Sequence, residues 1–222
     1  MELQEAGCAL QPDAACAYLA LQSAALRDGL AVAAASSFRP FERQLAIWND
    51  KFLGRRPLLD RHGHALEHAS LAEAQIVQAI LQWSALPGAS RHHWGTEIDV
   101  FDRNTLRTGQ PQLVAAEFAP GGAFSALEQW LQQHAGRFGF FRPYDRDRGG
   151  VAPEPWHLSF APVSAQALQA LTLQVLDEAL SGVDLAGASV VRLQLPDIYE
   201  RYVLAVAAPP SQALAAGGTS AG

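Results

Sequence analysis

The feature that most constrains the fold of this chain is the segment 90–102, near the middle of its 222 residues. His92 and Asp99 flank Gly95, where a glycine allows the backbone to turn. An imidazole nitrogen and a carboxylate oxygen are both ligands that Zn²⁺ accepts. The segment therefore predicts one half of a metal site, and the fold must bring the other half to it from elsewhere in the sequence.

The other half is predicted at residues 154–157, where a proline and a tryptophan separate Glu154 from His157. Catalytic zinc takes three protein ligands, commonly two histidines and a carboxylate, and keeps one position open. We therefore expect His92, Asp99 and His157 to be the ligands. The proline biases Glu154 toward extended backbone beside the metal. A carboxylate there can take a proton from metal-activated water and deliver it to a leaving amine, so Glu154 is the predicted general base.

Hydrophobic periodicity predicts an α+β fold, with a small antiparallel sheet that carries the zinc site and helices on its flanks. Apolar residues recur at helical spacing in residues 12–28, 40–52, 70–83, 124–135, 164–180 and 198–206. Short apolar runs predict strands at residues 30–36, 98–101, 138–141 and 158–160. Pro40 is expected to open the second helix, and Ser70 and Asp197 to cap two others, although a strand is an alternative for 198–206.

We expect a single domain over residues 1–207 and a disordered tail over 208–222, where alanine, glycine, serine and proline dominate. Residues 54–68 are polar and are expected to form a surface loop, because a proline and a glycine interrupt them. That loop holds three histidines, His62, His64 and His68. A second metal site there is conceivable, but solvated histidines are the expected state because no rigid scaffold holds them.

Charge and hydropathy exclude several classes of partner. The formal net charge is −6 and the sequence has no run of lysine or arginine, which argues against nucleic acid. No apolar stretch approaches the roughly 20 residues of a membrane span. No signal peptide is visible, so we expect a cytoplasmic protein, or a periplasmic or cell-wall protein if the N-terminus is processed or incomplete. For the two cysteines, Cys8 and Cys16, a disulfide and two separate thiols both remain open.

Two strings of residues carry a family resemblance. They are Ser90-x-His92-x-x-Gly95-x-Glu97-x-Asp99 and Glu154-x-x-His157. A further element contains Ser36, Arg39 and Gln44. Together these resemble the zinc D-Ala-D-Ala carboxypeptidases of the vancomycin-resistance type, in the LAS metallopeptidase group. That family usually shows S-x-H-x-x-G-x-A-x-D, then E-x-W-H, and an S-x-x-R element followed by glutamine.

The resemblance implies a zinc peptidase that acts on peptidoglycan peptides, with the ligands and the base already named. It also implies that Arg39 binds the terminal carboxylate of the substrate, which suits a planar guanidinium. Ser90 and Gln44 are carried over as substrate-binding residues, with Ser90 orienting either the substrate or its own loop. The alternative role for Arg39 is a salt bridge at the start of a helix.

We predict from this a D,D-carboxypeptidase that removes the terminal D-alanine from muropeptides or other D-Ala-D-Ala peptides. One alternative is a peptidoglycan endopeptidase or an L-alanyl-D-glutamate peptidase with the same zinc site. Another is a zinc-holding domain that binds peptidoglycan without cutting it. The presence of Glu154 favours an enzyme over this last alternative.

Five residues near the motifs keep two interpretations each. Glu97 stands where the family usually has alanine, and is either an outer partner of a ligating histidine or exposed. Asp102 either ends its strand in a turn or bonds to the site. His93 is expected beside the site or in the core, and Trp94 and Trp156 in the walls of the cleft or in the core.

Overall fold

The structure is a computed structural model that describes residues 8–106 and 110–215. The helices in these ranges are α1 (Pro12–Arg27), α2 (Phe41–Phe52), α3 (Glu73–Leu81), α4 (Ala115–Phe118), α5 (Ser125–His134), α6 (Ala161–Ala170), α7 (Leu173–Leu180), α8 (Ala188–Ile198) and α9 (Ser211–Ala215). The strands are β1 (Val32–Ser36), β2 (Leu58–Leu59), β3 (Ala65–Leu66), β4 (Glu97–Asp102), β5 (Phe140–Phe141) and β6 (His157–Phe160). The predicted α+β fold, a small antiparallel sheet flanked by helices, is confirmed.

The main sheet has the strand order β1, β4, β6, β5, and every neighbouring pair is antiparallel. In the register of β4 with β6, Asp99 lies opposite His157 and Glu97 lies opposite Ser159. On the other edge of β4, β1 contains a bulge, after which Ser36 pairs with Asp99. Three segments that are far apart in the sequence therefore meet at one residue of the central strand.

A first hydrophobic cluster joins the sheet to α1 and α5. The apolar residues of α1 recur at helical spacing, as predicted, and meet apolar residues of the strands. Fully buried members of the cluster include Tyr18, Leu21, Ile98, Val100 and Leu158. Each such side chain contributes about 1.5–3 kcal/mol by leaving water, so this cluster fixes the strands that carry the predicted ligands.

A second hydrophobic cluster is formed by α2, α3, α7 and α8. Trp48 of α2 is fully buried in it, and its indole N–H donates to the carbonyl oxygen of Ala186 at 3.0 Å. The segment that follows α3 and the segment that precedes α2 leave this cluster and reach the sheet. A cleft lined by residues of both parts lies where they meet.

The polar segment 54–68 is not a plain loop, because β2 and β3 pair within it as a small antiparallel hairpin. Its histidines do not gather around one point. Nδ1 of His64 lies 3.3 Å from the carboxylate of Asp60, whereas Nε2 of His68 bonds to the carbonyl oxygen of Phe52. Among the described residues, none of these histidines belongs to a group that could hold a metal ion.

Two helix starts differ from the prediction. Ser70 does not cap the third helix, because it ends a short 3-10 turn and its hydroxyl donates to the carbonyl oxygen of Glu67. Helix α3 instead begins after Ala72, whose N–H donates to the side chain of Gln75 at 2.9 Å. Pro40 is the residue before α2 and not its first residue. Local hydrogen bonds thus shift the start of α3 along the chain.

The single helix predicted over residues 164–180 is also wrong. It is divided into α6 and α7, and α6 begins earlier, at Ala161. Thr172 stands between them with extended backbone, and its hydroxyl oxygen accepts the N–H of Val175 at 3.2 Å. A threonine cap of this kind starts a new helix, which accounts for the division.

The last predicted helix begins earlier than expected. Asp197 does not cap it, because α8 starts at Ala188, runs through Pro196 and continues as a π-helical turn over Tyr199–Leu204. Proline has no N–H to donate, and α8 accommodates Pro196 before the π-helical turn begins. Disorder stays a prediction for the tail over residues 208–222; in the part of it that the structure describes, α9 forms and Ala213 is fully buried.

None of the helices in the described ranges is both long and apolar enough to cross a bilayer. Cys8 is buried and Cys16 is exposed on α1, and no disulfide joins these two described residues. Of the two alternatives for the cysteines, the disulfide is therefore excluded in this structure.

Candidate active site

The 3-10 turn Arg91–Trp94 carries His92 to the start of β4. The turn ends at Gly95, whose φ of 68° is left-handed and whose carbonyl oxygen accepts the N–H of Gln11. A Cβ at this position would lie 3.2 Å from that backbone nitrogen, so both the conformation and the close approach favour glycine. The turn directs His92 back over the strand that holds Asp99.

The three predicted ligands converge. His92, Asp99 and His157 are buried, and one ligand atom from each lies within 4.8 Å of the other two. Nε2 of His92 is 3.5 Å from Oδ2 of Asp99, and Nδ1 of His157 is 3.1 Å from Oδ1. The two rings are nearly perpendicular, with centroids 5.0 Å apart. One small cation could contact all three residues at this spacing.

The second nitrogen of each imidazole is engaged away from this point. Nδ1 of His92 donates to the carbonyl oxygen of Ser37 at 2.7 Å, and Nε2 of His157 bonds to Oε2 of Glu97 at 2.7 Å. With a metal ion in place each imidazole would carry one N–H, and these bonds would leave lone pairs on Nε2 of His92 and Nδ1 of His157 for the metal. Without a metal, burial lowers the pKa of His157, but hydrogen bonds and charges from Asp99 and Glu97 outweigh it and raise that pKa to about 10, so the ring is charged. Burial lowers the pKa of His92 to about 4, against the charge of Asp99, and this keeps the ring neutral.

Oδ1 of Asp99 indicates that the site suits a cation. The atom is buried, and within the described part of the chain no donor forms a hydrogen bond with it. A buried carboxylate oxygen without a partner is unfavourable. A cation shared with the two imidazole nitrogens would satisfy it, and this donor set is common for zinc. The residues present therefore fit a zinc ion.

Glu154 faces the same point. Its Oε2 lies 3.4 Å from Nδ1 of His157, and its side chain is 12% exposed. Its backbone N–H donates to the carbonyl oxygen of Tyr144, and the following proline favours extended backbone. Burial raises the pKa of Glu154 to about 7, although His157 acts against the shift. A carboxyl group that titrates near neutrality can both accept and return a proton.

Arg39 lines the same cleft, which has a volume of about 280 Å³. Its Nη1 donates to Oε1 of Gln44 at 2.9 Å, and its Nη2 donates to the hydroxyl of Ser36 at 3.0 Å. Both acceptors are neutral, and no carboxylate of the described residues forms an ion pair with Arg39. The guanidinium therefore keeps a charge available for an anion, which disfavours the alternative of a helix-start salt bridge.

Gln44 does not line the cleft, contrary to its predicted contact with substrate. It is fully buried, its amide nitrogen donates to the carbonyl oxygen of Ala85 at 2.6 Å, and its oxygen accepts from Arg39. Gln44 therefore bonds to the guanidinium of Arg39 without lining the cleft itself. Ser90, in contrast, does line the cleft, and it is 2% exposed.

Other residues of the motif hold the backbone in place. Nδ1 of His93 donates to the carbonyl oxygen of Arg39 at 2.6 Å, so it ties the turn to the segment before α2. Asp102 accepts the N–H of Ala31 at 3.0 Å and acts at the strand end, away from the cleft. Trp156 both packs in the first hydrophobic cluster and lines the cleft.

Tyr144 and Arg91 are among the residues of the cleft wall that sequence reasoning missed. Tyr144 is buried, its ring centroid lies 5.0 Å from that of His157, and burial raises the pKa of its phenol. It lies in a segment rich in charge and glycine, and the sequence contains no signal for its position. Arg91 is 4% exposed and pairs with Glu97. The available signal was the opposite charge of these two residues within one short segment.

A family model described as VanY, D-alanyl-D-alanine carboxypeptidase, matches residues 7–163, which include all the cleft residues discussed. Among curated proteins, an uncharacterized protein of Haemophilus influenzae is 35% identical over 122 residues, covering 54% of this chain and 93% of that protein. A D-alanyl-D-alanine carboxypeptidase of Enterococcus faecalis is 29% identical over 148 residues, covering 65% of this chain and 46% of the relative. The chain thus spans less than half the length of this second relative.

Two solved structures share the fold. VanYB in complex with D-Alanine-D-Alanine superposes with a TM-score of 0.53 and 24% identity, over 82% of this chain and 87% of that chain. A vancomycin resistance D,D-pentapeptidase, a VanY mutant in complex with Zn(II), gives a TM-score of 0.52 and 24% identity, over 81% and 88%. At this identity the likeness establishes the fold alone.

Proposed function

The chain belongs to the VanY D-alanyl-D-alanine carboxypeptidase family, and from this premise we propose that it is a zinc-dependent D,D-carboxypeptidase. The proposed reaction hydrolyses the last peptide bond of peptidoglycan-derived peptides that end in D-Ala-D-Ala and releases free D-alanine. The curated relative named as a D-alanyl-D-alanine carboxypeptidase supports this choice. So do the similar structures that hold D-Alanine-D-Alanine or Zn(II).

The observation that carries the proposal is the position of Arg39. Its guanidinium lines the same cleft as Glu154 and the three metal-binding residues, and it is oriented by two neutral acceptors. A planar guanidinium recognises a carboxylate with two parallel hydrogen bonds. A cleft with a free arginine beside the hydrolytic group suits a substrate whose peptide chain ends there. This favours a carboxypeptidase over an endopeptidase.

Each residue then has a defined part. Zinc would be held by Nε2 of His92, a carboxylate oxygen of Asp99 and Nδ1 of His157, and when bound it supplies Lewis-acid activation of water and of the scissile carbonyl. Arg39 binds the terminal carboxylate, with Gln44 holding its guanidinium. Ser90, in the wall of the cleft, orients the peptide.

Glu154 moves the proton. Its carboxylate accepts a proton as the oxygen of water bonds to the carbonyl carbon of the substrate, and later returns that proton to the amine nitrogen as the C–N bond breaks. The raised pKa of Glu154, about 7, suits both steps because the group exchanges protons near neutral pH. The products are a peptide shorter by one residue and D-alanine.

The test compares a pentapeptide ending in D-Ala-D-Ala with the same peptide carrying a C-terminal amide. We expect zinc-loaded protein to release D-alanine from the acid, with activity lost on chelation and restored by zinc. The amide, and the Arg39→Ala variant with the acid, should both be cleaved about 10- to 100-fold more slowly, because a charge-assisted hydrogen-bonded pair is lost. Arg43→Ala, on the exposed side of α2, is the matched control.

The outcomes separate the alternative functions. Equal cleavage of acid and amide would indicate an endopeptidase, and product analysis on an L-alanyl-D-glutamate peptide would reveal that activity. Full zinc occupancy with no hydrolysis of any peptide would indicate a domain that binds peptidoglycan without cutting it. Any of these results would replace the proposed function.

A further inference from the structure

Behind the metal-binding group lies a buried polar cluster centred on Glu97, which is 0% exposed. Its Oε2 accepts from Nε2 of His157 at 2.7 Å and from Nε of Arg91 at 3.3 Å. Its Oε1 accepts from Nη2 of Arg91 at 3.3 Å. The hydroxyls of Ser159 and Thr96 also donate to Oε1, at 2.7 and 3.0 Å. Both oxygens are therefore fully engaged by protein donors.

The register of the sheet produces this cluster. Glu97 and Asp99 lie on one face of β4, opposite Ser159 and His157 of β6. The imidazole of His157 is consequently held between two carboxylates, with Asp99 at Nδ1 and Glu97 at Nε2. The two carboxylates differ, because Oδ1 of Asp99 lacks a hydrogen-bond donor among the described residues, whereas Glu97 has donors at both oxygens.

We propose that Glu97 is a positioning residue for the metal centre: it selects the Nε2–H form of His157 and so directs Nδ1 toward the metal. A carboxylate behind a ligating imidazole fixes the orientation of the ring and increases the basicity of the ligating nitrogen. Glu97 stands where the resembled family usually has alanine. The inference rests on the proposed zinc site and extends it to the residues behind the ligands.

Arg91 allows the carboxylate to remain buried and ionised. A buried charge without a partner is strongly destabilising. The guanidinium of Arg91 is 4% exposed, lies 4.7 Å from the ring centroid of Trp94, and donates to Ser159 as well as to Glu97. It thus balances the charge of Glu97 and holds the carboxylate against Nε2 of His157.

His92 provides an internal comparison. Its Nδ1 donates to the backbone carbonyl oxygen of Ser37, an acceptor that no side-chain substitution removes. Substitution of Glu97 should therefore loosen His157 and leave His92 in place. This difference between two ligands of one site distinguishes positioning from a general loss of structure.

The test uses two variants and a matched control. Glu97→Gln keeps the shape of the side chain but removes its charge. The double variant Glu97→Ala with Arg91→Met removes both charges, so that no arginine is left buried and unpaired. Glu128→Gln is the control, because Glu128 and Arg142 form a largely buried bidentate pair outside the cleft, with N–O distances of 2.7 and 2.6 Å.

Zinc affinity is measured by competition with a chromophoric chelator, and ring protons are followed by NMR in zinc-loaded protein. We expect both Glu97 variants to bind zinc about 10- to 100-fold more weakly than wild type and the Glu128→Gln control. The Nε2 proton of His157 should lose its downfield, exchange-protected signal in the double variant. The Nδ1 proton of His92 should keep its own signal in every variant.

Failure of this inference can be distinguished from failure of the proposed function, because the experiment measures zinc binding and ring-proton signals and not peptidase activity. Unchanged zinc affinity in both folded Glu97 variants would overturn this inference alone. Equal weakening in the Glu128→Gln control would also overturn it, since the effect would then follow stability and not the position of His157. A wild-type protein that binds no zinc would overturn the proposed function as well.

Discussion

Two glutamates approach His157 from opposite ends of its imidazole ring; Glu97 is fully buried and the side chain of Glu154 is 12% exposed. Glu97 lies 2.7 Å from Nε2, and Glu154 lies 3.4 Å from Nδ1. Burial acts to raise the pKa of Glu97, but the charge of Arg91 and the hydrogen bond from His157 outweigh it and lower this pKa to about 2. Burial raises the pKa of Glu154 to about 7, with the charge of His157 opposing the change.

Burial acts to raise the pKa of both carboxyl groups, so the difference arises from the charge of Arg91 and the hydrogen-bond donors around Glu97. Glu97 accepts hydrogen bonds at both oxygens and has an arginine beside it, whereas no side chain of the described residues donates a hydrogen bond to the carboxylate of Glu154. A carboxylate with fixed donors keeps its charge, and one with few donors keeps a proton to a higher pH. The first arrangement can hold a ligand in place, and the second can transfer protons.

The largest effect is expected on peptidase activity when Glu154 is replaced. Glutamine keeps the shape of the side chain but cannot take a proton, so Glu154→Gln should lower kcat/KM for D-alanine release by about 10²–10⁴-fold. Zinc content should stay at the wild-type level, because Glu154 is outside the proposed ligand set. Steady-state kinetics and metal analysis of one preparation measure both. Activity above about a tenth of wild type would contradict the role of general base.

The second largest effect is expected on the free energy of unfolding when Glu97 is replaced. In chelator-treated protein at pH 6, Glu97→Gln should lower the free energy of unfolding by about 3–5 kcal/mol, because it leaves Arg91 buried without its ion-pair partner. Denaturant titration followed by circular dichroism measures the change. The double variant with Arg91→Met should recover part of the loss. If the single variant were as stable as wild type, the ion pair would have no structural role.

The two glutamates should also give opposite dependences of stability on pH in metal-free protein. Glu154 has a folded pKa of about 7, above its unfolded value of 4.5, so wild type loses stability as pH rises between these values. Glu154→Gln should therefore stabilise the protein by about 3 kcal/mol at pH 8 and have little effect at pH 4.

For Glu97 the sign reverses. Its folded pKa of about 2 lies below the unfolded 4.5, so its stabilising contribution is present above pH 4.5 and is lost as pH falls toward 2. The stability gap between wild type and Glu97→Gln should narrow over that range. Unfolding curves at a series of pH values measure both differences. If the stability difference from wild type changed with pH in the same direction for both variants, the opposite pKa shifts assigned to the two glutamates would be contradicted.

The smallest effect is expected for Ser164, which tests how far the polar cluster around Glu97 extends. Ser164 is fully buried and contacts the hydroxyl of Ser159 at 2.7 Å, but it does not reach Glu97 itself. Because Ser159 keeps its contacts with Arg91 and Glu97, Ser164→Ala should change the free energy of unfolding by no more than about 1 kcal/mol and leave zinc affinity unchanged. A zinc affinity lowered as much as in Glu97→Gln would show that the positioning cluster extends to α6.

Much of the candidate site could be predicted because its residues lie in two short motifs. His92, Asp99, His157 and Glu154 were chosen from residue type and spacing, and the structure brings all four to one cleft. The resemblance to the D-Ala-D-Ala carboxypeptidases is confirmed by the family match over residues 7–163. The metal and the roles of the individual residues stay predictions.

The helices show where local patterns are insufficient. The apolar repeat over residues 164–180 is continuous, yet the cap at Thr172 divides it. Pro196 indicated a helix start, yet packing in the second hydrophobic cluster carries α8 through it. At Thr172 a side-chain hydrogen bond within the segment outweighs the apolar repeat, and at Pro196 tertiary packing outweighs the local preference.

The chemical groups of the site, the segments of the central strands and the family resemblance could all be read from residue types and their spacing. These properties depend on residue identity and periodicity along the chain. In contrast, the fold was needed to show that Gln44 bonds to Arg39, that Tyr144 lines the cleft, and that Glu97 is buried against His157. These contacts depend on the register between strands, since a shift of one residue would turn Glu97 to the opposite face of the sheet.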